Sequence, residues 1–218
     1  MTGTSYVGGF VGEHSTGIIS NSNATGKVTG TDYVGGFVGS MGPGTIENSY
    51  ATGEVRGTNS VGGFIGSTTT GVITNSYSTS QVIATGQYIG GFIGGTTAGI
   101  FTNCYATGDV TGAAKTGGFA GHAHGATTFD NAYATGNVTG TANVGGFIGN
   151  SQGAVNISNV YAAGNVTGTT NVGNVIGYTD GGATIGTDLY GYEGQVVTGT
   201  LGTYQSPEVT YSEITSEQ

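Results

Sequence analysis

A repeat of 27 to 28 residues limits the folds open to this chain more than any other feature. The tripeptide Gly-Gly-Phe occurs six times, and the intervals between its phenylalanines are 27, 27, 28, 27 and 28 residues. These residues are Phe10, Phe37, Phe64, Phe92, Phe119 and Phe147, and Val175 ends a degenerate seventh copy. Such a period is typical of an array in which each unit contacts only its neighbours.

Each repeat contains three short β-prone segments separated by Gly, Thr, Asn and Ser. No segment shows the 3.6-residue apolar period of an amphipathic helix. Residues 45–50 alternate instead, and strict alternation predicts that Ile46, Asn48 and Tyr50 share one face. The sequence therefore predicts an all-β fold, a parallel β-solenoid or β-helix of about seven 27–28-residue coils with three short strands per coil.

Equivalent positions in successive coils would stack about 4.8 Å apart, and several of these columns are uniform in composition. An apolar column predicts core packing at Ile19, Ile46, Ile73, Phe101, Phe129 and Ile157. An asparagine column predicts an amide ladder at Asn21, Asn48, Asn75, Asn103, Asn131 and Asn159. A tyrosine column predicts a ring stack at Tyr50, Tyr77, Tyr105, Tyr133, Tyr161 and Tyr190, and a valine column from Val28 to Val197 predicts a second inward row. The glycine pairs predict tight backbone or positive φ.

The motif Gly36-Phe37-Val38-Gly39, followed by Asn-Ser-Tyr-Ala-Thr-Gly at 48–53, resembles the GLUG repeat. That repeat is found in large bacterial surface and secreted proteins, including adhesins and the non-catalytic N-terminal regions of some immunoglobulin A proteases. The resemblance covers about residues 2–200, with Phe in the place of the family's Leu. It implies a surface-exposed solenoid without enzyme activity, and it implies no single ligand.

The charge balance and the hydropathy exclude several partners. Three basic residues against twelve acidic ones give a net charge of −9, which disfavours nucleic acid. No apolar stretch approaches the ~18 residues of a membrane span, so membrane insertion is not expected. The N-terminus lacks the basic and apolar regions of a signal peptide. The resemblance to the GLUG repeat implies a secreted or cell-surface protein, and the chain would then be a fragment or a mature form without its signal peptide.

Two regions differ in their repeat content. Residues 1–200 are predicted to form the GLUG-repeat solenoid, and residues 201–218 a non-repeat C-terminal strand, cap or linker. Residues 206–214 leave the repeat but alternate like one more strand. That strand would cap the solenoid, connect it to another domain or pair with a neighbouring chain.

The sequence offers little catalytic chemistry, and neither a cofactor nor a metal is expected. His122 and His124 form the metal candidate, but a site needs a third and a fourth ligand. Acid–base pairs need clustered carboxylates, whereas Glu47, Glu54 and Asp109 occupy different columns or coils. We therefore predict that the chain is not an enzyme.

Threonine forms the one surface array that suggests binding. Where Val28 points inward, Thr29 and Thr31 would both point outward, with rows about 4.8 Å apart and columns about 6.6 Å apart. Stiff β-branched side chains would hold hydroxyls and methyls in a flat grid, similar to the ice-binding face of β-solenoid antifreeze proteins. The predicted grid consists of Thr2, Thr4, Thr29, Thr31, Thr58, Thr85, Thr111, Thr139, Thr141, Thr167, Thr169, Thr198 and Thr200. Arg56, Ile83 and Ala113 interrupt it.

The sequence favours a non-catalytic extracellular repeat module, an adhesin-type stalk or surface contact domain that meets a host or cell-surface receptor or glycan. One alternative is an ice-binding (antifreeze) protein that uses the threonine grid. A second is an extracellular filament subunit that self-associates through its solenoid ends. Carbohydrate binding would need a groove lined with exposed aromatic rings beside polar groups. Tyr178, Tyr190 and Tyr192 are the aromatic candidates outside the regular stack.

Overall fold

The chain winds into a parallel β-solenoid of about seven coils, as the repeat predicts. The computed structural model describes residues 1–180, 182–185, 188–192, 194–202 and 208–209, and these residues contain no helix. Their strands form four parallel sheets, so that a regular coil crosses four sheets rather than the three strands expected. The additional strand arises because Gly36-Phe37 and its equivalents bend, which divides one predicted segment into two strands.

Sheets I and II lie on either side of that bend and contain seven strands each. Sheet I consists of Ser5–Gly8, Asp32–Gly35, Asn59–Gly62, Gln87–Gly90, Ala114–Gly117, Ala142–Gly145 and Thr170–Gly173. Sheet II consists of Val11–His14, Val38–Met41, Ile65–Thr68, Ile93–Thr96, Ala120–His124, Ile148–Gln152 and Ile176–Thr179. Equivalent residues pair in register one coil apart, as Val34 does with Val61.

Sheets III and IV complete the coil. Sheet III consists of Gly17–Ser20, Asn23–Ala24, Gly44–Glu47, Tyr50–Ala51, Val72–Thr74, Tyr77–Ser78, Ile100–Ala106, Thr128–Ala134, Asn156–Ala162, Thr184–Ile185, Leu189–Tyr192 and Glu208–Val209. Sheet IV consists of Val28–Thr29, Val55–Gly57, Val82–Ala84, Val110–Thr111, Val138–Thr139, Val166–Thr167 and Val197–Thr198.

The interior contains two hydrophobic clusters that run along the solenoid. The larger one packs the phenylalanines of the bend against sheets II and III, and Phe37 and Phe64 stack with centroids 4.7 Å apart. The smaller one packs the valines of sheet IV, such as Val28, against those of sheet I, such as Val34. The predicted isoleucine–phenylalanine and valine columns therefore supply core residues, although Ile19 and Val197 are only partly buried.

The glycine pairs are required by close backbone approach. A Cβ on Gly36 would lie 2.1 Å from the carbonyl oxygen of Gly63 in the next coil, and one on Gly35 would lie 1.9 Å from that of Val38. Such distances exclude any side chain. Positive φ, the other expected reason, does not apply to these two residues.

The asparagine column corrects the predicted faces of sheet III. Asn48 has a φ of 49°, and every asparagine of the column lies in this left-handed region. The bend interrupts the strict alternation, so that Ser49 is buried while Asn48 is exposed and Tyr50 is half-exposed. The prediction that Asn48 and Tyr50 share the inward face of Ile46 was wrong. Asparagine is among the few residues with a Cβ that tolerate this conformation.

The residue after the asparagine determines whether the strand continues through the bend. In the early coils it is serine, and the Ser49 N–H donates to the Ser76 side chain rather than to a backbone carbonyl. Sheet III is therefore split there into Gly44–Glu47 and Tyr50–Ala51. Later coils have Cys104, Ala132 and Val160 at this position, and one strand runs through the bend in each.

The C-terminal region lies mostly outside the described residues. Leu201 forms a bridge with Val172, and Glu208–Val209 pairs with Leu189–Tyr192 in sheet III. Most of the predicted strand at 206–214 is not described, so the boundary at residue 200 stays a prediction. Within the part of the chain that is described, no helix has the length and apolarity to span a membrane.

Candidate binding surfaces

The titratable groups are dispersed over the described part of the solenoid. No three His, Cys, Asp or Glu residues there are placed to hold a metal ion. His122 Nε2 lies 2.9 Å from Gln152 Oε1, and its ring stands 5.0 Å from that of Tyr88. Burial lowers the pKa of His122. His124 is exposed, and its ring centroid is 6.1 Å from that of His122.

The carboxylates of Glu54 and Asp109 bind different partners in different coils. Glu54 accepts two hydrogen bonds from Arg56 and lies 2.6 Å from Lys27 Nζ. The hydrogen bonds from Arg56 and Lys27 lower the pKa of Glu54 to about 2. Asp109 accepts from the backbone and side-chain amides of Asn137. No pair of carboxylates among these contacts is arranged for acid–base chemistry.

The threonines after the valine column point outward in the later coils. Val138 and Val166 are buried, whereas Thr139, Thr141 and Thr167 are exposed. Gly140 and its equivalents face inward between the two threonines, because a Cβ there would meet core valines. Exposed members of the predicted grid are Thr2, Thr4, Thr31, Thr85, Thr111, Thr139, Thr141, Thr167, Thr169, Thr198 and Thr200, and Thr29 and Thr58 are partly buried.

The backbone register moves one residue out of the predicted grid. The N–H of Gly86, and not that of Thr85, donates to the Thr58 carbonyl, so Gly86 occupies the column. Thr85 is the extra residue of a 28-residue interval, and placing it in the grid was an error of register. The longest run of threonine therefore lies in the last four coils, at Thr111, Thr139, Thr167 and Thr198.

A groove opens on sheet III between the asparagine and tyrosine columns. We call it the Asn–Tyr groove; its volume is about 490 Å³. It is lined by Asn103, Cys104, Tyr105, Asn131, Ala132, Tyr133, Asn159, Val160, Tyr161, Asp188 and Tyr190. The amides form one wall and the phenols the other. The apolar residues between them form the floor, because the left-handed asparagine turns them inward.

The phenol wall is a continuous ring stack. The centroids of Tyr77, Tyr105 and Tyr133 follow one another at 4.8 Å with nearly parallel planes, and Tyr161 continues the stack at 5.0 Å. This confirms the predicted tyrosine column. Burial raises the pKa of Tyr133 to about 12, and its neighbours Tyr105 and Tyr161 add to the shift. Each inner ring covers its neighbours' faces, so hydroxyls and ring edges face the groove.

The amide wall is a partial ladder. Asn131 donates its side-chain N–H to Asn103, and Asn103 donates to Asn75. Asn159 instead donates to Asp130 Oδ1 in the preceding coil. The predicted amide ladder is therefore present over three coils, on the exposed side of the sheet.

The groove includes Tyr190, which the sequence placed both at the end of the tyrosine column and among the aromatic candidates outside the regular stack. Tyr190 pairs in register with Tyr161 and donates a hydrogen bond of 3.4 Å to Asp188. Sequence reasoning treated the asparagine and tyrosine columns as packing and missed the groove. The position between the two columns could have indicated the groove. It is serine in the early coils and Cys104, Ala132 and Val160 in the later ones, which indicates that these side chains point inward and form a floor.

The first coil exposes much of its apolar surface. Phe10 is 51% exposed, whereas its equivalents Phe37 and Phe64 are fully buried, and Ile18, which pairs with Thr45 of the next coil, is 71% exposed. The Phe10 ring stacks on Phe37 at 4.8 Å through one face only, because no described coil lies beyond it. Met1 and Tyr6 add to this apolar end.

In a comparison with protein families, the chain matches the family described as the GLUG motif. Five consecutive repeats match it, at residues 3–29, 30–56, 57–83, 85–111 and 112–139, which is more than half of the chain. Comparison with curated proteins and with solved structures gives no match.

Proposed function

Because the chain belongs to the GLUG repeat family, we propose that it is a non-catalytic extracellular module, an adhesin-type stalk or surface contact domain. GLUG repeats and β-solenoids are typically structural, and the family is associated with bacterial surface and secreted proteins. The observation that carries the proposal is the continuity of the columns. The buried columns serve packing from coil to coil, while the exposed columns form long strips with few charges.

The charge distribution supports a contact role rather than catalysis. Only three basic and twelve acidic residues are present in 218, and the described acidic groups with partners, such as Glu54 and Asp109, are separately engaged. Neutral strips of amide, hydroxyl and phenol groups suit recognition of uncharged surfaces. The proposed partner is a cell-surface receptor or glycan.

Adhesion of coated beads tests this proposal. Beads carrying the folded chain should be retained on cell layers or on glycan arrays more strongly than beads carrying the chemically unfolded chain. A variant that lacks one repeat, residues 57–83, should remain folded, since each repeat contacts only its neighbours. Equal retention of beads carrying the folded chain and beads carrying the unfolded chain would refute the proposal.

Ice binding is the second candidate, and it is favoured by the exposed rows in the later coils. Thr139 and Thr141 form one row, and Thr167 and Thr169 form the next. The Thr141 hydroxyl donates to the Ala113 carbonyl, which fixes its rotamer. Shaped ice crystals and thermal hysteresis that are lost in a Thr139→Tyr/Thr167→Tyr variant would establish ice binding. Round crystals and no hysteresis would eliminate it.

Self-association through the solenoid end is the third candidate, and it rests on the exposed apolar surface of the first coil. A heterologous contact that does not close would produce fibres. Sedimentation equilibrium should then show a mass that increases with concentration, and Phe10→Ser/Ile18→Asp should abolish the increase. One monomer mass at all concentrations would exclude this role.

A further inference from the structure

We propose that the Asn–Tyr groove binds a neutral, extended, β-linked polysaccharide that runs parallel to the solenoid axis. This inference rests on the proposed contact function and names the class of its partner. The groove repeats one set of three residues, an asparagine, an apolar residue and a tyrosine, in three successive coils at 103–105, 131–133 and 159–161, and the fourth coil contributes Asp188 and Tyr190. A repeating site fits a repeating ligand.

The walls offer hydrogen bonds without charge. An asparagine amide and a tyrosine hydroxyl each provide both donor and acceptor capacity. Asn131 uses one amide N–H in the ladder to Asn103, and an NH₂ group has a second N–H. Sugar hydroxyls also donate and accept, so a pair of them can bridge the amide wall and the phenol wall.

The charges disfavour an anionic polymer. The lining residues include no Lys or Arg, and Asp188 adds one carboxylate at the end of the amide wall. The whole chain carries a net charge of −9. Uronate or sulfated chains would therefore meet repulsion, whereas neutral glycans would not.

The spacing favours a glycan over a peptide. Phenol centroids recur every 4.8–5.0 Å along the groove. A pyranose unit in an extended β-linked chain advances by nearly the same distance as one coil, so each sugar can repeat the contacts of the preceding one. An extended peptide advances about 3.3 Å per residue, so that three residues span about two coils and the peptide would repeat its contacts only at every second coil. A polyproline helix, at about 3.1 Å per residue, would match only every second coil.

The ring geometry predicts how binding depends on ligand length. Inner rings such as Tyr105 and Tyr133 are covered on both faces by neighbouring rings, so a sugar meets their edges and hydroxyls. Each coil then contributes a weak contact, and the contacts add along the chain. Affinity should rise from the disaccharide to the tetrasaccharide and level off beyond it, because the groove spans four coils.

The test uses the full chain and defined neutral probes. Cello- and chito-oligosaccharides of two to six units are titrated by calorimetry, and hydroxyethyl cellulose is used in affinity electrophoresis. The groove variant Tyr105→Phe/Tyr133→Phe removes two hydroxyls and keeps the ring stack. A second variant, Asn131→Gly, removes an amide and keeps a residue that accepts the φ of 50°. Tyr33→Phe, on sheet I outside the groove, is the control.

We expect at least one oligosaccharide series to bind, with the predicted length dependence. The groove variants should bind about tenfold more weakly, and Tyr33→Phe should bind as the unchanged chain does. If the groove variants bind with the same affinity as the unchanged chain, the proposal is overturned, as it is if no neutral probe binds. A proline-rich peptide that binds with the same sensitivity to the variants would replace the glycan as occupant. Bead retention on cells without glycan binding would leave the contact function standing and refute this inference alone.

Discussion

Replacing Asn103 by alanine and by glycine separates backbone strain from hydrogen bonding at the left-handed corner of sheet III. Asn103 has a φ of 53°, donates a hydrogen bond to Asn75 and accepts one from Asn131. Both substitutions remove these bonds. Alanine adds strain of about 1–2 kcal/mol because its Cβ opposes this conformation. Glycine enters the region freely but loses more conformational entropy on folding, by about 0.5–1 kcal/mol.

The free energies of unfolding follow from these terms. The two exposed hydrogen bonds together contribute about 1 kcal/mol, near the lower end of the usual range. The alanine variant should then lose about 2–3 kcal/mol, and the glycine variant about 1.5–2 kcal/mol. Alanine should be the less stable variant by about 0.5–1 kcal/mol. This order is the reverse of the one found at ordinary strand positions.

Urea unfolding followed by circular dichroism measures the order of the two variants. Asn137 is the matched control, since it is exposed, bonds to Asp109 and has no positive φ. There glycine should be less stable than alanine by about 0.5–1 kcal/mol. If alanine is as stable as glycine at residue 103 while the control keeps its order, the strain argument is refuted.

Three further predictions concern the backbone, the buried thiol of Cys104 and the partly buried phenol of Tyr133. The Gly63→Ala substitution should lower the free energy of unfolding by about 3 kcal/mol or more, since the new Cβ would lie 2.0 Å from the Gly91 carbonyl oxygen. Gly26→Ala is the control and should change the unfolding midpoint little, because the space around Gly26 is open. Cys104 is buried and its thiol pKa is raised to about 12, so a thiol reagent should label it only at the rate of unfolding; fast labelling in the folded state would contradict its placement. The pKa of Tyr133, raised from 10.0 to about 12, implies stability that is present below pH 10 and lost as the pH rises towards 12. In melting curves recorded at several pH values, Tyr133→Phe should reduce the fall in melting temperature between pH 10 and pH 12. An unchanged dependence of melting temperature on pH would refute the raised pKa of Tyr133.

The period of the sequence was sufficient to predict the solenoid. Side chains one coil apart must share the same environment, so a buried position recurs as Val28, Val55 and Val82 along one column. The phenylalanine and tyrosine stacks follow for the same reason. The glycine pairs could be placed too, because a residue repeated without a side chain indicates a place where none fits, as at Gly36.

The local backbone could not be predicted from periodicity. Alternation assumes φ values of an extended strand, and two columns depart from it. The asparagine column is one, and its residue type is a recognisable hint. The other precedes each Val-Gly-Gly or its equivalent and includes Tyr33, Ser60 and Lys115, all with φ between 51° and 55°. No common side chain marks this second column, so packing of neighbouring coils imposes its conformation.

The groove and its extent follow from two successive positions in the repeat. Asparagine at positive φ turns the next residue inward and leaves the following tyrosine at the surface, which separates the two walls by one residue. Where that middle residue is serine, as at Ser49, its N–H bonds to a serine side chain in the next coil and the strand is interrupted. Where it is Ala132 or Val160, that side-chain acceptor is absent, one strand runs through the bend, and the groove is found there. The change from serine to an apolar floor therefore marks the coils in which two structural columns form a surface able to bind a ligand.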